Sequence, residues 1–244
     1  MPPSSPCYRR VLLKLSGEAL GGGRKQGLDK KVLDGICGEI GDVVEQGVQV
    51  AIVIGGGNFF RGAQAENLTM ERVCADYVGM LATVMNAIVL QQALVGNGIQ
   101  ARVQTAIPML PVAEPYEREH ALNHLDNNRV VLFAAGTGSP FFTTDTAASL
   151  RAVEIGADLL LKATQVDGVY DRDPNKYEDA QRYDKVSYDE VLRMRLNVMD
   201  ATAVALCREH DLPVRVFRLL DRGCLHRIVM GDNSGSTLVH GELK

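Results

Sequence analysis

The chain has 244 residues, 46% of them hydrophobic and 23% charged, enough for one or two domains with a self-sufficient core. Lys and Arg number 26 against 30 Asp and Glu, a formal charge of −4. That balance argues against a general nucleic-acid binder, which needs a net basic surface to displace counterions; small phosphorylated ligands need only a local basic site.

In chain order, Met1–Pro6 has neither the positive n-region nor the apolar h-region of a signal peptide, so residues 1–7 are expected to be a frayed leader to one domain over 8–244. The apolar run Val11–Leu15 predicts a strand that stops at Ser16-Gly17. Residues 30–46 show helical spacing, with Val32, Ile36, Ile40 and Val43 on one face. Val48–Ile54 predicts a second strand, ending on Gly55-Gly56-Gly57.

A helix is expected over 70–95, with Met80, Val84, Ile88 and Leu94 along one stripe. The uncharged run Tyr77–Ala101 is long enough to span a bilayer, but Asn86, Gln91, Gln92, Asn97 and Gln100 would be costly in lipid, so an interior helix and no membrane partner are expected. Further strands are predicted at 101–105, 130–135, 158–162 and 214–217, with helices at 146–156 and 199–210. The segments 227–230 and 236–239 read as a closing hairpin. Short apolar strands alternating with helices imply a mostly parallel sheet covered on both faces.

Tyr170–Lys185 is different: nine of its sixteen residues are charged, so it is an exposed loop, and its tyrosines are candidates for contact with a nucleotide base. Five cysteines (Cys7, Cys37, Cys74, Cys207, Cys224) lack CxxC or metal-ligand spacing and are expected as reduced, buried small hydrophobes in the cytosol. His120 and His124, flanked by Glu117, Glu119 and Asp126, read as a solvated helix face rather than a zinc pair.

Three strand ends carry small-residue clusters: Lys14-Leu15-Ser16-Gly17; Gly55-Gly56-Gly57-Asn58 with Arg61; and Gly136-Thr137-Gly138-Ser139-Pro140 running into Phe141–Asp145. Each offers backbone N–H groups without side-chain bulk, the means of holding phosphate; each alone is also compatible with a plain tight turn. GxxxxGK[ST] is absent, GxGxxG fails at both glycine runs, and HRD and DFG are missing, which removes Walker-type hydrolases, dinucleotide sites and protein kinases.

The segments KLSGEAL (14–20), VIGGGN (53–58), Asp76 ahead of GMLATVMN (79–86), AGTG (135–138), PFFTTD (140–145), KAT (162–164) and VDGVY (166–170) resemble, in order, those of bacterial UMP kinases of the amino acid kinase superfamily. The resemblance extends through RVF (215–217) and VMG (229–231), covering about residues 8–240. It implies a three-layer α/β/α sandwich with a mainly parallel central sheet, a homohexamer in the cytoplasm, and transfer of the γ-phosphoryl of MgATP to UMP in pyrimidine biosynthesis. Mg2+ is implied only as MgATP.

On these positions the resemblance implies that Lys14 and Lys162 contact ATP phosphates and the moving phosphoryl group, with Asp145 orienting both lysines and Arg61 neutralising developing charge. Leu15, Ser16, Gly17 and Gly57 would bind ATP phosphates, and Thr164, Tyr170 and Asp173 would border its adenine and ribose. Gly56, Asp76, Thr137, Gly138, Ser139, Pro140, Phe141, Phe142, Thr143 and Thr144 would bind UMP; for the two phenylalanine side chains, core packing stands as an equal reading. GTP activation and UTP inhibition are implied too, the former weakened by the variable segment Gly21–Gly27. Two alternatives remain: a sibling kinase acting on an amino acid carboxylate or carbamate, and a nucleotide-binding protein without turnover.

Overall fold

The computed structural model describes residues 5–22, 27–61, 68–219 and 221–241. The first four residues of the expected leader, and residues 23–26 of the Gly21–Gly27 segment, lie outside these.

β1 (Arg10–Leu15) is the middle of the molecule, paired in parallel with β2 (Gln49–Ile54) on one side and β6 (Leu159–Thr164) on the other. Beyond β2 lie β5 (Val130–Ala134), β3 (Ala101–Thr105) and the two-residue β4 (Glu114–Pro115), all parallel. Beyond β6 lie β10 (Val214–Arg218), β11 (Ser236–His240) and β9 (Lys185–Ser187), where only the β10–β11 pairing is antiparallel. The nine-stranded order is therefore β4-β3-β5-β2-β1-β6-β10-β11-β9. The central strands are buried on both faces, which is why they read as unbroken apolar runs rather than alternating ones.

Strand alternation divides the core in two. Leu13, Leu15, Ile52 and Leu161 point to one face, packed by α1 (Lys30–Glu45), α2 (Arg72–Gly96) and α7 (Cys224–Val229). Leu12, Val53, Val131 and Leu160 point to the other, packed by α3 (Arg118–Asp126), α4 (Thr144–Glu154), α5 (Tyr188–Met194) and α6 (Ala201–Glu209). The result is the expected α/β/α sandwich. Side-chain caps start the helices where the sequence supplies an acceptor: Asp29 for α1, Thr143 for α4, Ser187 with Glu190 for α5, and Asp200 for α6.

Several expectations fail. Residues 227–230 are not a strand but the last turn of α7 and its C-cap Met230, because Cys224, Leu225, Ile228 and Val229 recur at helical spacing and bury one face. The antiparallel partner of β11 is β10 instead. The charged loop contains a small hairpin, β7 (Val169–Tyr170) with β8 (Arg182–Tyr183), and leads into β9, elements too short to leave a periodic signal. Cys7 and Cys74 are exposed, while the other three cysteines are buried.

His124 is not solvated: its Nε2 lies 2.9 Å from Glu114 Oε2, and its Nδ1 lies 3.1 Å from Arg129 Nη1. Helix α2 is long and apolar enough to cross a membrane by length and composition, yet Met80, Val84, Ala87, Leu90 and Leu94 dock it on the sheet. It is interior on that face only, for Val73, Tyr77, Leu81 and Met85 form an exposed apolar stripe on the other.

Candidate active site

In a parallel sheet the carboxyl ends of the strands share one edge, and there the three small-residue clusters meet. Register fixes the first element of the site. Lys14 on β1 pairs directly with Lys162 on β6, so both side chains leave the same face of the sheet as neighbours. Two like charges that close, each mostly shielded from water, require an intervening anion. Asp145, in the first turn of α4, supplies it: Oδ1 lies 2.8 Å from Lys14 Nζ and Oδ2 2.7 Å from Lys162 Nζ.

Lys162 Nζ also donates to the Val198 carbonyl. Burial would raise the Asp145 carboxyl, but the two lysines overcome that and hold it below the usual carboxylate range. Burial lowers the Lys162 ammonium, and Lys14 lowers it further, against the opposing pull of Asp145.

The second element is the contact of two glycine turns. A Cβ on Gly17 would lie 2.6 Å from both Asn58 Oδ1 and the Gly55 carbonyl, so nothing larger fits between the ends of β1 and β2. A Cβ on Gly56 would lie 2.7 Å from the Ala82 Cβ and the Gly79 carbonyl, which brings α2 against the same turn. Ser16 accepts from Ala19 N–H and starts a one-turn helix over Gly17–Gly21. Arg61 Nε donates to the Gly57 carbonyl at 3.0 Å, and its Nη2 lies 3.2 Å from Glu18 Oε1, which ties the two turns together from outside.

Beside these turns opens a cleft of about 660 Å³. Of the residues expected to hold UMP, Gly56, Asp76, Thr137, Ser139, Phe142, Thr143 and Thr144 line it, as does Gly57. Gly138, Pro140 and Phe141 belong to the same segment but are not part of the wall. Phe141 and Phe142 are 65% and 52% exposed, which removes the core-packing reading. Asp76 Oδ2 accepts from Phe141 N–H at 2.8 Å, fastening the segment 137–144 to α2. Thr143 caps α4, whose N-terminus therefore faces the cleft with the positive end of its dipole.

Sequence reasoning missed four supporting residues. Arg72 chelates Asp76 through Nε at 2.9 and 3.0 Å, a pair at i,i+4 spacing that was legible. Thr83 accepts from Ala135 N–H at 2.7 Å and so holds the start of the third cluster. Asp200 accepts from Thr143 Oγ1 at 2.5 Å and from Thr146 Oγ1 at 3.0 Å. Asn86 reaches the glycine run from α2. These three are distant in sequence from their partners and carry no local signal.

The expected adenine-side residues lie along β6 and the hairpin. Thr164 ends β6 and donates to the Val166 carbonyl at 2.5 Å. Tyr170 donates its hydroxyl to Asp167 at 2.6 Å. Asp173 is exposed, accepts from Asn175 N–H and pairs with Lys176. None of the three lines the cleft beside Asp76.

The amino acid kinase family model matches residues 9–218. The chain belongs to the amino acid kinase family. Solved structures agree across nearly the full length of this amino acid kinase. A UMP kinase from Bacillus anthracis is 42% identical, with 96% of this chain and 97% of that one covered and a TM-score of 0.93. A UMP kinase from Ureaplasma parvum is 33% identical over 95% and 98%, with a TM-score of 0.90. A uridylate kinase from Archaeoglobus fulgidus is 27% identical over 94% and 99%, with a TM-score of 0.70.

Proposed function

We propose that this amino acid kinase transfers the γ-phosphoryl group of MgATP to UMP, giving UDP and ADP. The observation that carries the reading is the Lys14–Asp145–Lys162 cluster, whose Asp145 directly follows Thr144, part of the wall of a cleft that Asp76, Thr137, Ser139, Phe142 and Thr143 also line. Relatives at 42% and 33% identity that bear the name UMP kinase support the choice of acceptor.

Phosphoryl transfer asks chiefly for positioning and for charge around the equatorial oxygens. Lys14 and Lys162 supply two ammonium groups at one point, and Arg61, Ser16, Gly17 and Gly57 supply donors around the ATP phosphates. Asp145 is a poor general base, since both its oxygens face ammonium groups and its carboxyl is held ionised. No base is needed for a phosphomonoester acceptor, whose second pKa near 6 leaves it largely dianionic at pH 7. Asp76 and the amides and hydroxyls of Thr137–Thr144 would hold ribose, phosphate and uracil. Thr164, Tyr170 and Asp173 would flank the adenosine of ATP.

Among the described residues no three His, Cys, Asp or Glu side chains gather as a metal-binding group, and in this reading Mg2+ enters with ATP as part of the substrate. The reading extends to a cytoplasmic homohexamer in pyrimidine nucleotide biosynthesis, with GTP as activator and UTP as inhibitor. The exposed stripe Val73, Tyr77, Leu81 and Met85 supports an assembly face. Coupled ADP release tests the acceptor: turnover is expected with UMP and not with N-acetylglutamate, aspartate or carbamate. Turnover with one of those three alone would replace this reading with the sibling one.

A further inference from the structure

Asn58 and Asn86 are 2% and 0% exposed, and they face each other across the junction of α2 with the glycine run. Asn86 Nδ2 donates to Asn58 Oδ1 at 2.7 Å and to the Gly55 carbonyl at 2.7 Å. Asn58 Nδ2 donates back to Asn86 Oδ1 at 3.0 Å and to the Gly27 carbonyl at 2.9 Å. The Asn58 carbonyl in turn accepts from Gly27 N–H at 3.1 Å. All four side-chain amide hydrogens are therefore used, two within the pair and two on backbone carbonyls.

Apolar side chains of the same size would fill this space without desolvating two amides, so packing does not account for them. What the amides add is a fixed place for backbone. Three consecutive glycines have wide conformational freedom, and the run must hold one conformation to serve as a phosphate cradle. The tolerance is small: a Cβ at Gly17 would lie 2.7 Å from Gly57 N, so the turns after β1 and β2 interlock at van der Waals distance.

We infer that the Asn58–Asn86 amide pair is a positioning unit for phosphoryl transfer, fixing the Gly55–Gly57 turn against α2 and against residue 27. Neither side chain touches a reacting atom; they act through the turn. This rests on the kinase reading of the site, and α2 then serves both halves of it, with Asn86 setting the glycine turn that carries Gly57 for ATP and Gly56 for UMP, and Asp76 setting the rest of the acceptor wall.

The test compares wild type with Asn86→Leu, Asn58→Leu and the double variant, each assayed well below its own melting temperature. In either single variant kcat at saturating MgATP and UMP is expected to fall by about tenfold or more while KM for UMP rises by less than about tenfold, because, of the residues expected to hold UMP, only Gly56 lies on the turn that the pair fixes. The double variant is expected to lose little beyond the worse single, as for two residues acting as one unit. MgATP affinity, measured by calorimetry without an acceptor, is expected to weaken by about tenfold in Asn86→Leu.

A kcat within about twofold of wild type, losses that multiply in the double variant, or unchanged MgATP affinity would each overturn the inference. Should Asn86→Leu not fold, Asn86→Ser, which keeps a hydroxyl and loses the reach to Gly55, carries the same comparison. If wild type does not turn over UMP, the functional reading fails, and the MgATP affinities still decide the role of the pair.

Discussion

Asp145 divides its carboxylate between two lysines, with Oδ1 on Lys14 and Oδ2 on Lys162, and the strand register of β1 with β6 puts those lysines side by side. The carboxylate thus holds the two ammonium groups side by side, where the proposed reading needs them for polyanionic ligands. Asp145→Asn keeps the shape and removes the charge, leaving two shielded ammonium groups against each other. The expected result is a kcat lower by about 10²–10³-fold, the scale for losing one pre-set electrostatic group. Steady-state kinetics with a parallel melting curve separates this from unfolding, and an unchanged kcat would rule out the orienting role.

Lys162 sits on the sheet and not among the residues lining the cleft proposed for UMP, so binding and transfer should separate there. Lys162→Ala is expected to keep UMP affinity in calorimetry within about threefold while transfer falls by about two orders of magnitude or more. Equal rates in variant and wild type would remove Lys162 from the mechanism.

The pH dependence follows from opposite shifts. Asp145 is held below the usual carboxylate range, so the acid limb of kcat is expected to follow the second ionisation of the UMP phosphate, near pH 6, instead. Lys162 is held below the ordinary lysine range and is expected to set an alkaline limb earlier than an exposed lysine would. Lys162→Arg stays charged throughout, so any residual activity is expected to lose that limb.

Stability obeys the same signs. The Asp145 contribution is present above its unfolded value and is lost as pH falls through its lowered folded value. Protonated Lys162 opposes the fold below its lowered folded value, and that opposition is relieved between the folded and the unfolded value as pH rises. An alkaline limb of kcat that survives in Lys162→Arg would contradict the assignment.

Asp200 caps α6 through Thr202 and Ala203 N–H and also accepts from Thr143 and Thr146. Asp200→Ala removes the α6 cap and loosens the α4 cap together. A loss of about 1–2 kcal/mol in denaturant unfolding is expected for Asp200→Ala and a much smaller one for Asp200→Asn, since asparagine caps as well as aspartate. A loss equal in both variants would show that the charge, not the cap, is what matters.

Much of this was legible because buried parallel strands announce themselves as apolar runs. The bounds of β3 over 101–105 and the apolar part of β1 over 11–15 coincide with the sequence reading. Lys14, Asp76, Asp145 and Lys162 were visible through motif order, and a lysine following three leucines already needed a partner. The sequence could not show that Lys14 and Lys162 are register partners, since that depends on β6 lying next to β1 rather than elsewhere in the sheet. Residues 227–230 misled because Ile228 and Val229 favour strands locally, while packing of α7 on the core decides for a helix. Asn86, Thr83 and Asp200 escaped because each contacts a partner 28 or more residues away.

Transfer of one phosphoryl group to UMP by this lysine pair can be followed directly with labelled ATP. Wild type incubated with UMP and ATP labelled in its γ-phosphate is expected to place the label in the β-position of UDP, with Lys162→Ala placing almost none. Label that stays in ATP, or passes to water as inorganic phosphate while UMP is unchanged, would contradict the account.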